Sequence, residues 1–421
     1  MKFKTAVFLI LILLSVFSQS SSQETDKQAP KVFIDCQFCD MDFIRTEVNF
    51  VNYVYDRKNA DIHIMVTKRT TGSGGTEYTL TYLGQNSYQA KNDTIVFTTN
   101  NDDTEDIVRK KLVKYLKAGL IPFISSTQII NDINIEYTKQ KDVMIKKDRW
   151  NNWVFRTRIS GWFNGEKSSR NRNIYGSFSA DRITEDWKMR FSIDASYNEN
   201  KYQWQGDWIK TSRKSKGISG TIVKSISDHW SIGGYTKINS STYQNTKAAY
   251  RIAPAVEFDI FPYSESTRKE FRFLYTIGAK YVYYYAETIY FKTQEALFDE
   301  SLEIALKFKQ PWGTIETSIE GSHYLHDFNK NYLSINTNLS LRIFKGFSIN
   351  LYGGISMIHN QLNLRRESPN KEDVLLRRYA LETNYNYWTS IGFSYSFGSI
   401  FNNIVNPRFG SSSGTTIIIM N

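Results

Sequence analysis

The chain has no run of about eighteen apolar residues, whereas a membrane-crossing helix needs roughly twenty. Helical membrane spans are therefore excluded, in keeping with a mean hydropathy of −0.45. Cysteine is nearly absent. The two present are Cys36 and Cys39, so no cysteine follows the N-terminal apolar stretch to carry a lipid anchor. A zinc site needs about four ligands, and His63 is the only histidine in this part of the chain. In an oxidising compartment Cys36 and Cys39 read as a local disulfide. A reduced pair, or a redox-active one ahead of a helix starting at Asp40-Met41, are the alternatives. Charge is not concentrated either. The formal net charge is +11, but it is spread along the chain, which excludes a nucleic-acid surface and leaves dispersed contact with anionic lipid heads.

What is present begins with an export signal. Lys2 and Lys4 precede the apolar stretch Thr5 to Phe17, and Ser18-Gln-Ser-Ser-Ser-Gln23 supplies small residues for cleavage after Ser20 or Ser22. Residues 1–22 are thus read as a signal peptide. From about Trp150 to Ile400 one unit then repeats: a stretch of alternating apolar and polar side chains, a short connection, another stretch, a longer connection. Phe271, Phe273, Tyr275, Ile277, Ala279, Tyr281 and Tyr283 share one parity, against Arg272, Thr276 and Lys280 on the other. Strand side chains point to opposite faces with period two. Long strands, apolar outward and polar inward, with unequal loops are the pattern of a transmembrane β-barrel. Tyr and Phe number 27 each, and tyrosine favours the lipid–water interface. An aromatic-rich soluble sandwich would explain neither the strand lengths nor the loops.

Before this region, residues 30–135 read as a small α+β domain. Lys31–Asp35 is a strand, Met41–Tyr55 a helix capped by Asp40, Asp61–Lys68, Glu77–Leu83 and Thr94–Thr98 strands. A second helix is capped by Asp102 or Asp103 and ended by Gly119. The loop Thr70-Thr-Gly-Ser-Gly-Gly-Thr76 lies between two strands and lacks a following Gly-Lys-Ser/Thr, so it is a turn rather than a phosphate loop. The fold class is mainly β: a transmembrane antiparallel barrel of about twelve strands preceded by a domain of order β-α-β-β-β-α. Residues 136–148 form a linker, 149–400 the barrel and 401–421 a C-terminal tail. That tail is either without structure or adds a strand to the small domain.

The element order of the small domain resembles the periplasmic α/β domains of the curli-secretion channel and of the propeller protein of the Tol system. The whole chain resembles a group of outer-membrane barrel proteins of Bacteroidota, through Val32-Phe-Ile-Asp-Cys-Gln-Phe-Cys-Asp40, Asn52-Tyr-Val-Tyr-Asp56 and Thr71-Gly-Ser-Gly-Gly-Thr-Glu-Tyr-Thr79. That likeness implies the cell outer membrane, with the domain in the periplasm.

Strand centres fall near Thr157, Phe178, Ile193, Thr221, Gly234, Val256, Ile277, Ala305, Ile319, Leu339, Tyr352 and Phe393. Short turns are read at Ile183–Asp186, Ser227-Asp228, Pro262–Lys269, Gln310-Pro311 and Lys345-Gly346. Long loops are read at Asn164–Arg172, Glu199–Lys216, Ser240–Lys247, Ala286–Asp299 and Asn360–Asn386, with Asp327–Lys330 a short exception. Inward parity carries Arg156, Arg158, Lys188, Arg190, Arg272, Lys280, Lys307 and Arg342 against Asp194, Glu257, Asp259, Glu303, Glu316 and Glu320. In a narrow barrel such charges pair into a network filling the lumen, or line a path for a small polar solute.

His326 shares inward parity with Glu320, Ser318 and Ser322, from which a serine–histidine–acid arrangement could be drawn. Ser322 and His326 would stand about 13 Å apart on one strand, so a partner would have to come from elsewhere. The sequence reading is accordingly a non-enzymatic outer-membrane protein without cofactor. Its barrel contacts outer-membrane lipid and lipopolysaccharide. Its periplasmic domain recruits an envelope protein or plugs the pore. A small-solute channel is the second reading and an outer-leaflet lipid hydrolase the third.

Overall fold

The alternating stretches become one sheet in the computed structural model, which describes residues 29–72, 74–136, 148–367, 371–401, 403–406 and 408. The stretch read as a signal peptide, nearly all of the stretch read as a linker and the tail after Arg408 lie outside the described residues. In chain order the strands of the large sheet are β6 (Trp153–Gly165), β7 (Ser169–Ile183), β8 (Trp187–Trp204), β9 (Asp207–Ser225), β10 (Trp230–Ser241) and β11 (Thr246–Asp259). They continue as β12 (Lys269–Tyr284), β13 (Gln294–Gln310), β14 (Gly313–Tyr324), β15 (Asp327–Phe344), β16 (Phe347–Ile358) and β17 (Tyr385–Tyr395). Each pairs antiparallel with its chain neighbours, and each centre read from the sequence falls inside its strand. The registers keep one parity together: Phe178 opposes Ile193, Ile193 opposes Ile218, Tyr275 opposes Leu302 and Ile335 opposes Ile355.

The sheet is not the closed ring the sequence suggests. The order runs from β17 to β6 with both as edges, and no β6–β17 pairing occurs among the described residues. Two long loops are also corrected. Asn164–Arg172 shrinks to residues 166–168, and Glu199–Lys216 to the two-residue turn Gln205-Gly206 at φ 51° and 95°, the positive pair that a tight hairpin favours. The residues between are strand: β8 has 18 residues and β9 has 19. At about 3.3 Å per residue each is on the order of 60 Å long. Toward their shared turn Asn198, Asn200, Lys201 and Lys210 put polar groups on both faces, and the alternation that marks a strand disappears.

The small domain is a five-stranded mixed sheet in the order β2-β1-β3-β4-β5. Its strands are β1 (Lys31–Asp35), β2 (Asn52–Tyr53), β3 (Ile62–Thr70), β4 (Thr76–Gly84) and β5 (Asn92–Thr99), and its helices are α1 (Met41–Glu47) and α2 (Glu105–Ile124). Asp40 caps α1, its Oδ1 accepting from Phe43 N at 3.0 Å. The helix stops at Glu47 rather than at Tyr55, because Asn52 and Tyr53 pair in parallel with Lys31 and Val32. Thr104, not Asp102 or Asp103, caps α2. Gly119 does not end that helix. A Cβ there would sit 2.2 Å from the ring of Tyr82, so the glycine serves close packing. Val32, Ile62, Ile64, Val66, Leu80, Tyr82, Leu112 and Leu116 form the core under the helices. Cys36 and Cys39 are joined, S–S 1.97 Å.

The start of the tail joins this domain. Val54 bridges antiparallel to Phe401, Tyr55 N donates to Ile400 O at 3.2 Å, and Tyr53 N donates to Asn403 Oδ1 at 2.6 Å. Of the two fates open to the tail, its first residues extend the β2 edge.

Candidate functional site

A sheet covered by helices on one face normally leaves its other face to water. Here the alternate positions His63, Met65, Thr67 and Thr81 are buried as well, His63 at 0% exposure. What lies against that side is the end of the large sheet. Arg342, near the end of β15, reaches both carboxylate oxygens of Asp35 at 2.7 and 2.8 Å and stacks its guanidinium 5.4 Å from the Phe33 ring. Asp56 accepts from Gly346 N in the β15–β16 turn at 2.6 Å. The β3–β4 loop meets the opposite rim. A Cβ on Gly72 would lie 2.7 Å from Ile183 O, and one on Gly74, at φ +79°, would lie 1.7 Å from the Arg156 guanidinium. That positive φ suits glycine, and any side chain there would also push the Arg156 guanidinium aside. Arg69, Glu77 and Val96 share a cleft with Ser264 to Lys269 of the β11–β12 turn. The domain thus touches this end of the sheet at β6 and β7, at the β11–β12 turn and at the β15–β16 turn.

Asp35 is the electrostatic centre of this contact. Burial would raise its pKa, but His63, 3.7 Å away, and the two-pronged Arg342 outweigh burial and hold the carboxyl well below the usual range. A fork of two parallel hydrogen bonds fixes orientation as well as distance.

The register puts the fourteen inward candidates, Arg156 to Arg342, on the face opposite Phe178, Ile193 and Ile335. Some of them meet. Asp181 bridges Arg156 and Arg190. Arg272 gathers Glu257, Glu270 and Glu303, while Tyr263 donates to Glu257 at 3.0 Å. Asp259 instead accepts from Phe261 N and Phe271 N, both at 3.0 Å, which shapes a turn. Arg158, Lys188, Asp194, Lys280, Lys307, Glu316 and Glu320 stand outside these ion pairs among the described residues. Sequence reading missed Asp181, Glu270, and the pair Arg251–Asp299. Their parity is a usable signal, but Asp299 falls in a stretch whose sequence reads as a loop. Asp35 offered no local signal, being 307 residues from Arg342.

The far end is covered by the 359–384 connection, which contains α3 (Lys371–Leu375). Leu362 packs with Ala249, Val282, Tyr284 and Leu297. Ile289 N donates to Leu364 O at 2.9 Å, and Ala380 N to Tyr243 O at 2.9 Å. A cavity of about 200 Å³ remains beneath, lined by Lys280, Tyr284, Tyr324 and Leu362 among others.

His326 is not on a strand as the sequence suggested. It sits in the two-residue turn between β14 and β15, its ring 5.7 Å from that of Tyr324. Ser318, Glu320 and Ser322 remain inward on β14, so the supposed arrangement is not assembled. His323 faces outward, with Nε2 2.9 Å from Glu300.

No protein-family model and no curated protein matches the chain. Among solved structures, the NanC porin is similar with a TM-score of 0.25 and 9% identity, over 57% of this chain and 99% of the porin. At that score the likeness carries no argument about this chain.

Proposed function

We propose that the protein is an outer-membrane β-barrel whose N-terminal domain, on the periplasmic side, closes the mouth beneath it. The observation that carries this is the second buried face of the small sheet, pinned by Asp35 and Arg342. The membrane part of the reading is supported by the outward face. Ile159 is 81% exposed and Phe393 67%, and an apolar band of that extent is tolerated in lipid but not in water. Lipid also refuses unpaired backbone edges, so β6 and β17 pair with each other in the bilayer.

The two-signed inward face favours passage of a small polar solute as a second role, with the domain as its gate. Planar-bilayer recording of the full chain beside Asp35→Lys tests both. The parent should show rare, brief openings and the variant long ones. A parent that conducts steadily would remove the closing role, and silence in both would remove the channel.

A further inference from the structure

The overhang of β7, β8 and β9 changes character abruptly on its outward face. One row is Phe178, Ile193 and Ile218, and the next is Gly176, Ala195 and Lys216. Then come Ile174, Tyr197 and Lys214; Arg172, Glu199 and Ser212; and Arg170, Lys201 and Lys210. Apolar residues thus give way to six cations over the next four rows, on three adjacent strands. Tyr197 marks the border, as a side chain with a buried ring and a wet tip should. Elsewhere on the outward face the corresponding level carries Tyr281, Tyr283, Tyr385 and Tyr387 without such a cluster.

The cluster has one acid at its outward positions, Glu199. It is 5% exposed, accepts from Tyr197 at 2.6 Å and lies 2.8 Å from Lys210 and 3.6 Å from Lys201. That acid organises the cations rather than cancelling them. Arg170 stacks over Trp208 at 4.7 Å, and Lys214 over Tyr197 at 5.8 Å. Arg172, Lys214 and Lys216 carry no ion pair among the described residues, and all three are exposed. Beside Tyr197, Lys214 and Lys216 a cleft of about 430 Å³ opens with Ile174, Ala195 and Thr242 in its wall.

Cations that continue an apolar belt upward are placed to hold a ligand that is itself apolar below and anionic above. We infer that the outward face of the β7–β9 overhang binds a phosphate-bearing lipid of the outer leaflet. Its phosphates lie among Arg172, Lys214 and Lys216, and its acyl chains run down over Ile174, Ile193 and Ile218. The inference rests on the membrane orientation proposed above. It adds a ligand class, which an acidic protein partner would not share because such a partner would lack the apolar half.

The test compares the full chain with Lys214→Gln/Lys216→Gln, each incubated in detergent with bisphosphorylated lipid A, with the same lipid dephosphorylated, and with inorganic phosphate. Bound lipid is counted by native mass spectrometry. Removing one charge near an anionic headgroup weakens binding about fivefold, so the double variant should retain about twentyfold less bisphosphorylated lipid. The parent should prefer that lipid over its dephosphorylated form by a similar factor, and inorganic phosphate should not displace it. Equal retention of the two lipids, or displacement by inorganic phosphate, overturns the site. Insertion of both proteins into phosphatidylcholine vesicles, read as heat-sensitive gel mobility, is followed in parallel. Failure of the parent to insert overturns the membrane reading, whereas insertion without lipid preference overturns this inference alone.

Discussion

The two parts of this molecule are built inside out with respect to each other. In the small domain Ile62, Ile64, Leu80 and Leu116 are all fully buried, while in the large sheet Ile159, Ile391 and Phe393 are more than half exposed. Both parts obey the same period of two along their strands. What differs is which medium meets the apolar parity. Protein atoms close the domain core, whereas among the described residues the outward face of the sheet has no protein over it at these positions. Burial is therefore a statement about partners, and the same alternation means core in one region and an exposed apolar face in the other, the face that the proposed function turns toward lipid.

The largest expected effect falls on the domain side. Leu116→Ala should destabilise the domain by about 3 kcal/mol, since it empties a packed core. All nine tryptophans lie from Trp150 onward, so their fluorescence follows the sheet while hydrogen exchange follows the domain. Loss of exchange protection in β3 and β4 with an unchanged tryptophan transition is the predicted outcome, and a shift of both would erase the contrast between the regions. Next comes Ile193→Lys on the outward face, which should cost about 2 kcal/mol in a bilayer if the position lies well inside the apolar layer. In urea titrations from vesicles the loss should be clear, and in detergent smaller.

At the contact between the regions, Asp35→Asn should weaken docking by about 1–2 kcal/mol, a partly screened charged hydrogen-bond pair. Protease access to the β3–β4 loop reads this. The same comparison across pH fixes the sign. Asp35 has a lowered pKa in the folded protein, so its stabilisation is present above the ordinary carboxylate value of about 4 and is lost as pH falls through the folded one. Parent and Asp35→Asn should therefore differ as much at pH 5 as at pH 8 and converge only in stronger acid. The smallest effect is expected for Gly74→Ala, about 1 kcal/mol for a left-handed residue that gains a Cβ. It should loosen the loop at Arg156 while leaving the Asp35–Arg342 contact intact, as seen in exchange rates at each end.

The twelve strands were legible because each contains a stretch where one face carries apolar side chains and the other polar ones. The overhang of β8 and β9 was not, because Asn198, Asn200, Lys201 and Lys210 occupy both parities with polar groups and mimic a loop. Gly119 read as a helix stop because its reason, the Tyr82 ring, comes from another element. Of the inward charges, parity identified Arg156, Arg190, Arg272 and Glu303, and it could have identified Asp181. The decisive partner of Arg342 was invisible. Asp35 belongs to a different structural unit, and docking of one unit on another leaves no periodic trace in either.

The pairing of Val54 with Phe401 gives the domain two leashes. One is the 137–147 connection into β6, and the other is the chain leaving β17. In the closing role proposed above, a domain tied at two points would remain at an effective concentration on the order of millimolar beside the sheet end. Contacts as modest as the Asp35–Arg342 fork and the Gly72–Gly74 loop would then suffice to hold it there. Any opening would be a tilt about the leashed edge, re-seating without a search, rather than a departure.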